Sequence, residues 1–184
     1  MESQAATMSS IPDPIGLSSW LALNSESLKP PVNAMYLYSG KDFILMAVGG
    51  PNTRNDYHIN ETEANHFSYQ VSYDFPGITL CLYPLSIFHL SSPIYLVANT
   101  PHSPRRSKDT IGLVMERTRP PQMIDRVRWY CGNTEAHGGV PTIIREESFY
   151  CEDIETQLKE VIDNWMEDEN SRRCGSCGVI SPAH

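Results

Sequence analysis

The sequence has few basic residues and no long apolar run without interruption. It contains 14 Lys and Arg against 22 Asp and Glu, for a formal net charge of −8. Binding to a nucleic-acid backbone requires clustered Lys and Arg, so this balance argues against a nucleic-acid partner. The longest segment without a charged residue, 75–104, contains several prolines, and its most apolar part, 78–90, is too short to span a bilayer. We therefore expect neither nucleic acid nor membrane as a partner.

The amino-terminal residues and the cysteines bear on the compartment. Residues 1–10 lack the basic and apolar segments of a secretory signal, so the cytoplasm is the expected location. The five cysteines are an odd number, and Cys174 and Cys177 are separated by two residues. In a chain without an export signal, such a pair indicates metal or redox chemistry rather than a disulfide scaffold.

Short apolar segments separated by turn residues indicate a mostly β fold. Segments 35–38 and 43–48 flank a polar turn at 39–42, which is the pattern of a β-hairpin. Further strands are expected at 69–71, 78–83, 94–98 and 111–116. Many short strands with intervening Pro, Gly and Asn favour an antiparallel sandwich or barrel.

A helix is expected near each end of the chain. Apolar residues in 11–28 follow helical spacing, and Pro30 and Pro31 end the segment. The apolar residues of 154–166 form the stripe of a surface helix. We expect this stripe to pack on the core, with partner binding as the alternative.

Two distant histidines are candidates for a metal site. His58 is followed closely by Glu61 and Glu63, and His102 lies in a later turn segment. Two histidines and one carboxylate with open positions form the ligand set of non-haem Fe(II) oxygenases. The alternative is a pair of surface histidines beside a solvated acidic turn.

Arginines stand close to both histidines. Arg54 precedes His58 by four residues, and Arg106 follows His102 by four. A guanidinium group near a cationic metal is costly unless an anion lies between them, so the pattern indicates an anionic substrate. Ordinary surface charge is the alternative. Glu116 closes an apolar strand, where it faces either a pocket or solvent.

Five segments of the chain together carry a family resemblance. They are VGGPNTRNDYH at 48–58, ANTPHSP at 98–104, GLVMER at 112–117, RWYC at 128–131 and FYCEDIETQL at 149–158. Through them the chain resembles the 3-hydroxyanthranilate 3,4-dioxygenases, particularly those of fungi. The resemblance covers most of 11–63 and 96–178, whereas 64–95 diverges.

The resemblance implies a fold and an activity. The fold is a mostly β cupin, a double-stranded antiparallel jelly roll, with a short N-terminal helix and a C-terminal helix. Residues 1–120 would form the cupin-like domain, and 121–184 a C-terminal extension with the helix and a cysteine knuckle. The activity is opening of the ring of 3-hydroxyanthranilate by Fe(II) and O2, which gives 2-amino-3-carboxymuconate semialdehyde for quinolinate and NAD biosynthesis. The oligomeric state is open, with a homodimer as one option.

The same resemblance implies roles for the residues of the site. By position, His58 and His102 match the iron ligands, and Arg54 matches the arginine near dioxygen. Arg106 and Glu116 match the residues that hold the carboxylate and the hydroxyl and amino edge of the substrate. These roles agree with chemistry, because a guanidinium fork suits a carboxylate and a nearby carboxylate can accept a phenol proton.

The third iron ligand departs from the family pattern. The family has a glutamate six residues after the first histidine, and here that position is Ala64. Glu63 lies one residue earlier, and counting back from Tyr69 places His66 there instead. Glu63 could enter through a bulge, His66 could complete a three-histidine site, or only two protein ligands would remain. The alternative function is therefore an impaired paralogue that binds metal or an aromatic acid without turnover.

A second, structural metal is suggested by the cysteines. Some members of the family have a rubredoxin-like site of four cysteines far from the active iron. The matching residues here are Cys131, Cys174 and Cys177. Thr134 stands where another cysteine would be, so Cys151 and His137 are the alternatives for the fourth ligand of an iron or zinc ion. Reduced thiols without a metal are the other reading.

Overall fold

The computed structural model describes residues 13–29, 34–52, 54–70, 78–82, 86–90, 94–152 and 154–184. The helices are α1 (Leu17–Asn24) and α2 (Ile154–Glu167), with single 3-10 turns at Glu135–His137 and Asn170–Arg172. The strands are β1 (Ala34–Ser39), β2 (Phe43–Gly49), β3 (Tyr57–Ile59), β4 (Ala64–Gln70), β5 (Ile78–Leu82), β6 (Ser86–Leu90), β7 (Ile94–Leu96), β8 (His102–Arg106), β9 (Thr110–Arg117), β10 (Ile124–Tyr130) and β11 (Ile143–Tyr150).

The strands form two antiparallel sheets with the connectivity of a jelly roll. One sheet has the order β1-β2-β9-β4-β7 and the other β11-β10-β3-β8-β5-β6. Strand β2 pairs with β9, β3 with β8, β4 with β7, and β5 with β6, so the pairs nest around the β5–β6 hairpin. Nested antiparallel pairs divided between two sheets define a jelly roll. The expected mostly β fold with a helix near each end is confirmed.

Most elements expected from the apolar pattern are present. The hairpin is formed by β1 and β2, and α2 spans the predicted C-terminal helix. The N-terminal helix is shorter than predicted, because α1 begins after Gly16 without a side-chain cap and ends at Asn24. Residues 11 and 12 lie outside the described part of the chain. Strands β4, β5, β7 and β9 overlap the four other predicted strands. Residues 71 and 83 of those predictions also lie outside the described part of the chain.

The divergent segment 64–95 nevertheless contributes strands to both sheets. The backbone of β4 pairs with β9 from Ala64 opposite Glu116 to Gln70 opposite Thr110. Strand β5 pairs with both β6 and β8 in the other sheet. The pairing therefore follows the jelly roll where the sequence departs from the family.

Helix α2 packs against the apolar side of the interior. Its Ile154 joins a buried cluster with Ile44, Met46 and Val114 from β2 and β9. Its Trp165 stacks on Trp129 of β10, with ring centroids 4.5 Å apart. Since each of these tryptophans is almost fully buried, replacing either by alanine would cost about 3–5 kcal/mol. Helix α2 thus holds β10 and β11 against the core.

One sheet also receives strands from the C-terminal part of the chain. Strand β10 pairs with β3, which carries His58, and β11 pairs with β10. Among the helices of the described ranges, none combines the length and apolar character that crossing a membrane requires.

Candidate active site and cysteine cluster

His58 and His102 come together on neighbouring strands. They are register partners of β3 and β8, both are buried, and their ring centroids are 5.5 Å apart. Directly opposed residues of an antiparallel pair point to the same face of the sheet. The register of these two strands therefore brings two histidines that are far apart in sequence to one place in the interior.

Each histidine ring is oriented by an oxygen atom. His102 Nδ1 lies 2.8 Å from the carbonyl oxygen of Thr100, which can only accept a hydrogen bond, so Nδ1 carries a proton and Nε2 the lone pair. His58 Nε2 lies 2.7 Å from Oδ2 of Asp125. Burial, with a smaller contribution from His58, lowers the pKa of His102 to about 3. His102 is thus neutral near pH 7, the form that binds a metal.

Arg106 is a buried cation without a described counterion. It is 4% exposed, and its Nε and Nη2 atoms have no hydrogen-bond partner among the described residues. His102 and Arg106 are four residues apart on β8. Together with Pro104, which lies midway between them, they are the alternate residues of one buried face. Burial, and secondarily Arg54, lower the pKa of Arg106 to about 9. A buried charge of this kind is costly unless an anion pairs with it, so the site suits an anionic ligand.

Arg54, by contrast, has a carboxylate partner. Its Nε donates a hydrogen bond to Oδ1 of buried Asp56 over 2.9 Å, and its Nη2 contacts the other carboxylate oxygen. Both residues lie in the segment that leads into β3 and His58. The ion pair holds the Arg54 side chain in place just before β3, the strand that carries His58.

A chain of close polar contacts links Glu116 to His58. Arg119 Nη2 lies 2.8 Å from Oε2 of Glu116 and 2.8 Å from Oδ2 of Asp125, and all three side chains are largely buried. Burial opposes ionisation of Asp125, yet the hydrogen bonds from His58 and Arg119 outweigh it and lower the pKa of Asp125 to about 2. Sequence reasoning missed Arg119 and Asp125. A signal for Asp125 was available: it lies two residues before Val127 and four before Trp129 on the same strand. Because alternate residues of a strand face the same side, an inward Val127 and Trp129 indicate an inward Asp125.

Glu63 is not brought together with the histidines. Its side chain is 45% exposed and lies 3.9 Å from the exposed Arg117, whereas Ala64 is fully buried opposite Glu116. Neighbouring residues of a strand point to opposite faces, so the inward position belongs to Ala64. The backbone of His66 pairs with Val114, and its side chain lies outside the described part of the structure.

The two buried imidazoles are candidate ligands for a metal ion, but no carboxylate lies at the position that the resemblance implies for the third ligand. The neutral His102 and the paired His58 suit a divalent cation. Ala64 offers no ligand atom. The histidine pair therefore supplies two ligand types that suit a metal, and the position implied for the glutamate supplies none.

The cysteine cluster lies at the end of β10. The ligand atoms of Cys131, His137, Cys174 and Cys177 are all within 4.8 Å of one another. The Cys131 and Cys177 sulfurs are 3.6 Å apart, as are the Cys174 sulfur and His137 Nε2. Tetrahedral sulfur ligands at about 2.3 Å from zinc are about 3.8 Å apart, so the spacing already approaches that of a closed metal site.

The thiol pKa values differ between the cysteines inside and outside the cluster, and within it. A hydrogen bond from the backbone of Cys177, with further backbone and thiol contacts, lowers the pKa of Cys174 to about 6. Burial raises the pKa of Cys131 to about 11 and that of Cys151 to about 12. Cys151 lies near Arg119 instead of in the cluster. Of the two alternatives for a fourth ligand, His137 is the one that joins the three cysteines.

Comparison with known proteins places the chain in a family. A family model described as 3-hydroxyanthranilic acid dioxygenase matches residues 8–166. A "3-hydroxyanthranilate 3,4-dioxygenase 2" of Aspergillus fumigatus is 50% identical over 92% of this chain and 96% of that protein. The 3-hydroxyanthranilate 3,4-dioxygenase of Mycosarcoma maydis is 44% identical over 94% and 96%, and that of Neurospora crassa 39% over 91% and 89%.

Solved structures align over about half of the chain. An RmlC-like cupin protein from Desulfovibrio desulfuricans is 12% identical, with a TM-score of 0.34 over 46% of this chain and 79% of that one. KdgF from Halomonas is 8% identical, with a TM-score of 0.39 over 50% and 85%.

Proposed function

This chain belongs to the 3-hydroxyanthranilic acid dioxygenase family, and we propose that it opens the ring of 3-hydroxyanthranilate with O2 and Fe(II). The product is 2-amino-3-carboxymuconate semialdehyde, which leads to quinolinate and NAD. The observation that carries the proposal is the buried guanidinium group of Arg106 on the same strand as His102, whose Nε and Nη2 have no hydrogen-bond partner among the described residues. The cytoplasm remains the predicted location, and a homodimer one option for assembly.

Arg106 binds the carboxylate of the substrate. Its two unpaired nitrogens, Nε and Nη2, can donate parallel hydrogen bonds to the two oxygens of one carboxylate. The bound anion neutralises the buried charge, so the cost of burying the arginine is offset only in the complex. This contact selects an aromatic acid over an uncharged phenol.

Glu116 receives the polar edge of the substrate. It lies on β9, buried, with Arg119 2.8 Å from its Oε2 atom. A carboxylate held in this way can accept a proton or a hydrogen bond from a phenol or an aromatic amine. Arg54, fixed by Asp56, adds a positive charge on the side of the histidines.

His58 and His102 are the proposed ligands of the ferrous ion. When bound, the ion would supply Lewis acidity toward the phenol oxygen and the redox chemistry of O2. The neutral state of His102 suits a metal ligand, and its Nδ1 hydrogen bond to the carbonyl oxygen of Thr100 orients the ring. The buried surroundings exclude water from the bound aromatic acid.

We also propose that Cys131, His137, Cys174 and Cys177 bind a structural metal, zinc or iron. Four ligand atoms leave no open position, which is typical of structural sites. The ligands come from the end of β10, a 3-10 turn and the C-terminal tail. The tail is attached close to the active-site segment, because Asn55 Nδ2 donates a hydrogen bond to the carbonyl oxygen of Pro182 over 2.8 Å.

The test compares two substrates on the full chain loaded with Fe(II). The formation of ring-opened product from 3-hydroxyanthranilate is compared with that from 2-aminophenol, which lacks the carboxylate. We expect kcat/KM for 2-aminophenol to be lower by about 100-fold or more, because a charge-assisted pair of hydrogen bonds is lost. Equal activity would contradict the role of Arg106. Protein that holds iron but forms no product would instead be the impaired paralogue.

A further inference from the structure

The segment that carries Arg54 is held between two anchors. Before it, Asn52 and Arg106 form a bridge, in which the Asn52 amide donates a hydrogen bond to the Arg106 carbonyl oxygen over 3.0 Å. After it, β3 pairs with β10. Between these anchors, Asn55 makes the described hydrogen bond that ties residues 54–56 to a distant part of the chain. The position of this segment therefore depends on the partner of Asn55.

That partner is the C-terminal tail, which follows the pair of cysteines at 174 and 177. Asn55 Nδ2 donates a hydrogen bond to the carbonyl oxygen of Pro182 over 2.8 Å. Pro182 comes five residues after Cys177. The intervening turn is closed by the Cys174 amide, which donates a hydrogen bond to the carbonyl oxygen of Val179 over 2.8 Å. Few residues and a closed turn thus separate the cysteines from the contact with Asn55.

The four residues of the cysteine cluster come from different parts of the chain. Cys174 and Cys177 belong to the tail, whereas Cys131 follows the last residue of β10 and His137 ends a 3-10 turn. A metal ion bound by all four would cross-link the tail to β10 and restrict its movement. The same ion would then restrict Pro182 and the segment that is bonded to it.

Arg54 acts on the site through its charge. It lowers the pKa of Arg106, as the second cause after burial. Because the interaction of two charges weakens with distance, this effect indicates that the two guanidinium groups lie near each other. Arg54 is paired with Asp56, and the two residues flank Asn55 in the sequence. A shift of the segment would therefore move a positive charge away from the buried arginine that is to receive an anion.

We propose that Asn55 is a positioning residue, through which the metal of the cysteine cluster holds Arg54 at the site. The inference rests on the structural metal of the proposed function. The metal fixes the tail, the tail holds Asn55, and Asn55 lies between the paired residues Arg54 and Asp56. A cluster without an open position thus contributes to anion binding, although it does not contact the anion.

The test measures hydrogen–deuterium exchange of the full chain with and without a metal at the cluster. One equivalent of Co(II) is the probe, because its absorption reports binding by thiolates. The exchange of the backbone amides of 54–58 is followed by mass spectrometry in the native chain and in Asn55→Ala. Asn24→Ala is the matched control, because Asn24 Nδ2 also donates a hydrogen bond to a backbone carbonyl oxygen over 2.8 Å, that of Trp20 in α1.

We expect removal of Co(II) to speed the exchange of 54–58 by about fivefold in the native chain, the effect of one hydrogen bond on local stability. Asn55→Ala should exchange faster even with the metal bound, and metal removal should then add less than about twofold. Asn24→Ala should behave as the native chain does. If Asn55→Ala has the same effect with and without the metal, Asn55 acts only locally and the inference is wrong.

Steady-state kinetics of the iron-loaded protein add a second readout. Asn55→Ala should raise KM for 3-hydroxyanthranilate by about threefold and leave kcat within about twofold, because a charge that favours the anion is less well placed. A fall in kcat at unchanged KM would indicate lost active protein and would contradict a role in anion binding.

The outcomes distinguish failure of this inference from failure of the proposed function. If Co(II) gives no thiolate absorption in the native chain, the structural metal is absent, and the inference fails together with that part of the proposal. If Co(II) binds but the exchange of 54–58 does not respond, only the inference fails. Neither result depends on iron at the histidines, so the proposed ring opening is tested separately.

Discussion

The interior of the jelly roll and the cysteine cluster are both candidate metal sites, but they are built in opposite ways. In the cluster, four soft or nitrogen ligands already lie within 4.8 Å of one another. In the interior, two histidines are accompanied by a buried arginine on the strand of His102, whose Nε and Nη2 have no partner among the described residues, and the glutamate position implied by the resemblance holds alanine. A closed set of four suits stability, whereas an incomplete set leaves positions for a substrate. The difference predicts that interior changes affect activity and cluster changes affect stability.

The largest expected effect is on activity, from Arg106→Met. Loss of a bidentate charge-assisted contact in a buried site should lower kcat/KM by about 1000-fold, while the melting temperature should stay the same or rise. The measurement is steady-state kinetics with 3-hydroxyanthranilate on iron-loaded protein, beside a thermal melt. Arg105→Met is the matched control, because Arg105 is the exposed neighbour on the same strand. A similar loss in both variants would contradict the assignment.

The next effect is on stability, from Cys174→Ser. Removing one of four ligands should release the structural metal and cost about 3 kcal/mol, which lowers the melting temperature by about 10 °C for a chain of this length. Cys151→Ser controls for the loss of a thiol outside the cluster. Metal content and thermal melts check this prediction. Should the two variants melt alike and retain equal metal, the cluster does not bind a structural ion.

A smaller effect concerns acid stability of the metal-free protein. The hydrogen bonds from His58 and Arg119 lower the pKa of Asp125 from 3.8 to about 2. A carboxyl with a lowered pKa stabilises the fold above its unfolded pKa and loses that contribution as the pH falls through the folded one. Between pH 4 and pH 2 the native chain should therefore lose about 2 kcal/mol more than Asp125→Asn does. Parallel losses in urea titrations at both pH values would refute this.

The smallest effect is expected from Glu63→Gln. The Glu63 carboxylate is 45% exposed, and its contact with Arg117 is a surface ion pair at 3.9 Å. Such pairs contribute less than about 1 kcal/mol. Iron content, activity and melting temperature should all stay close to those of the native chain. A marked loss of iron would return Glu63 to the metal site through a movement of β4.

Regular apolar patterns made part of the fold predictable from sequence. The β1–β2 hairpin and α2 follow from alternation and helical spacing, and they occur where expected. Strand β8 was not predicted from its pattern because its buried face carries His102 and Arg106 instead of apolar side chains. Functional strands break the hydrophobic alternation on which such predictions depend.

The site was predictable where a motif was local and was missed where it was assembled by tertiary contacts. His58 and His102 lie in recognisable segments, and the structure brings them together. Arg119 and Asp125 lie in no such segment: the pairing of β10 with β3 brings Asp125 to His58, and Arg119 reaches Asp125 from the connection between β9 and β10. In the same way, spacing left Cys151 and His137 open as the fourth ligand, and the packing of the C-terminal tail distinguishes them.

The most direct measurement is the stoichiometry of the reaction in iron-loaded protein. With the cysteine cluster filled by zinc, the oxygen consumed and the 3-hydroxyanthranilate lost are measured together in one vessel. The account predicts one O2 consumed for each aromatic ring opened, and no consumption by His102→Ala under the same loading. Equal oxygen uptake by His102→Ala, or none by the native chain at full iron content, would contradict it.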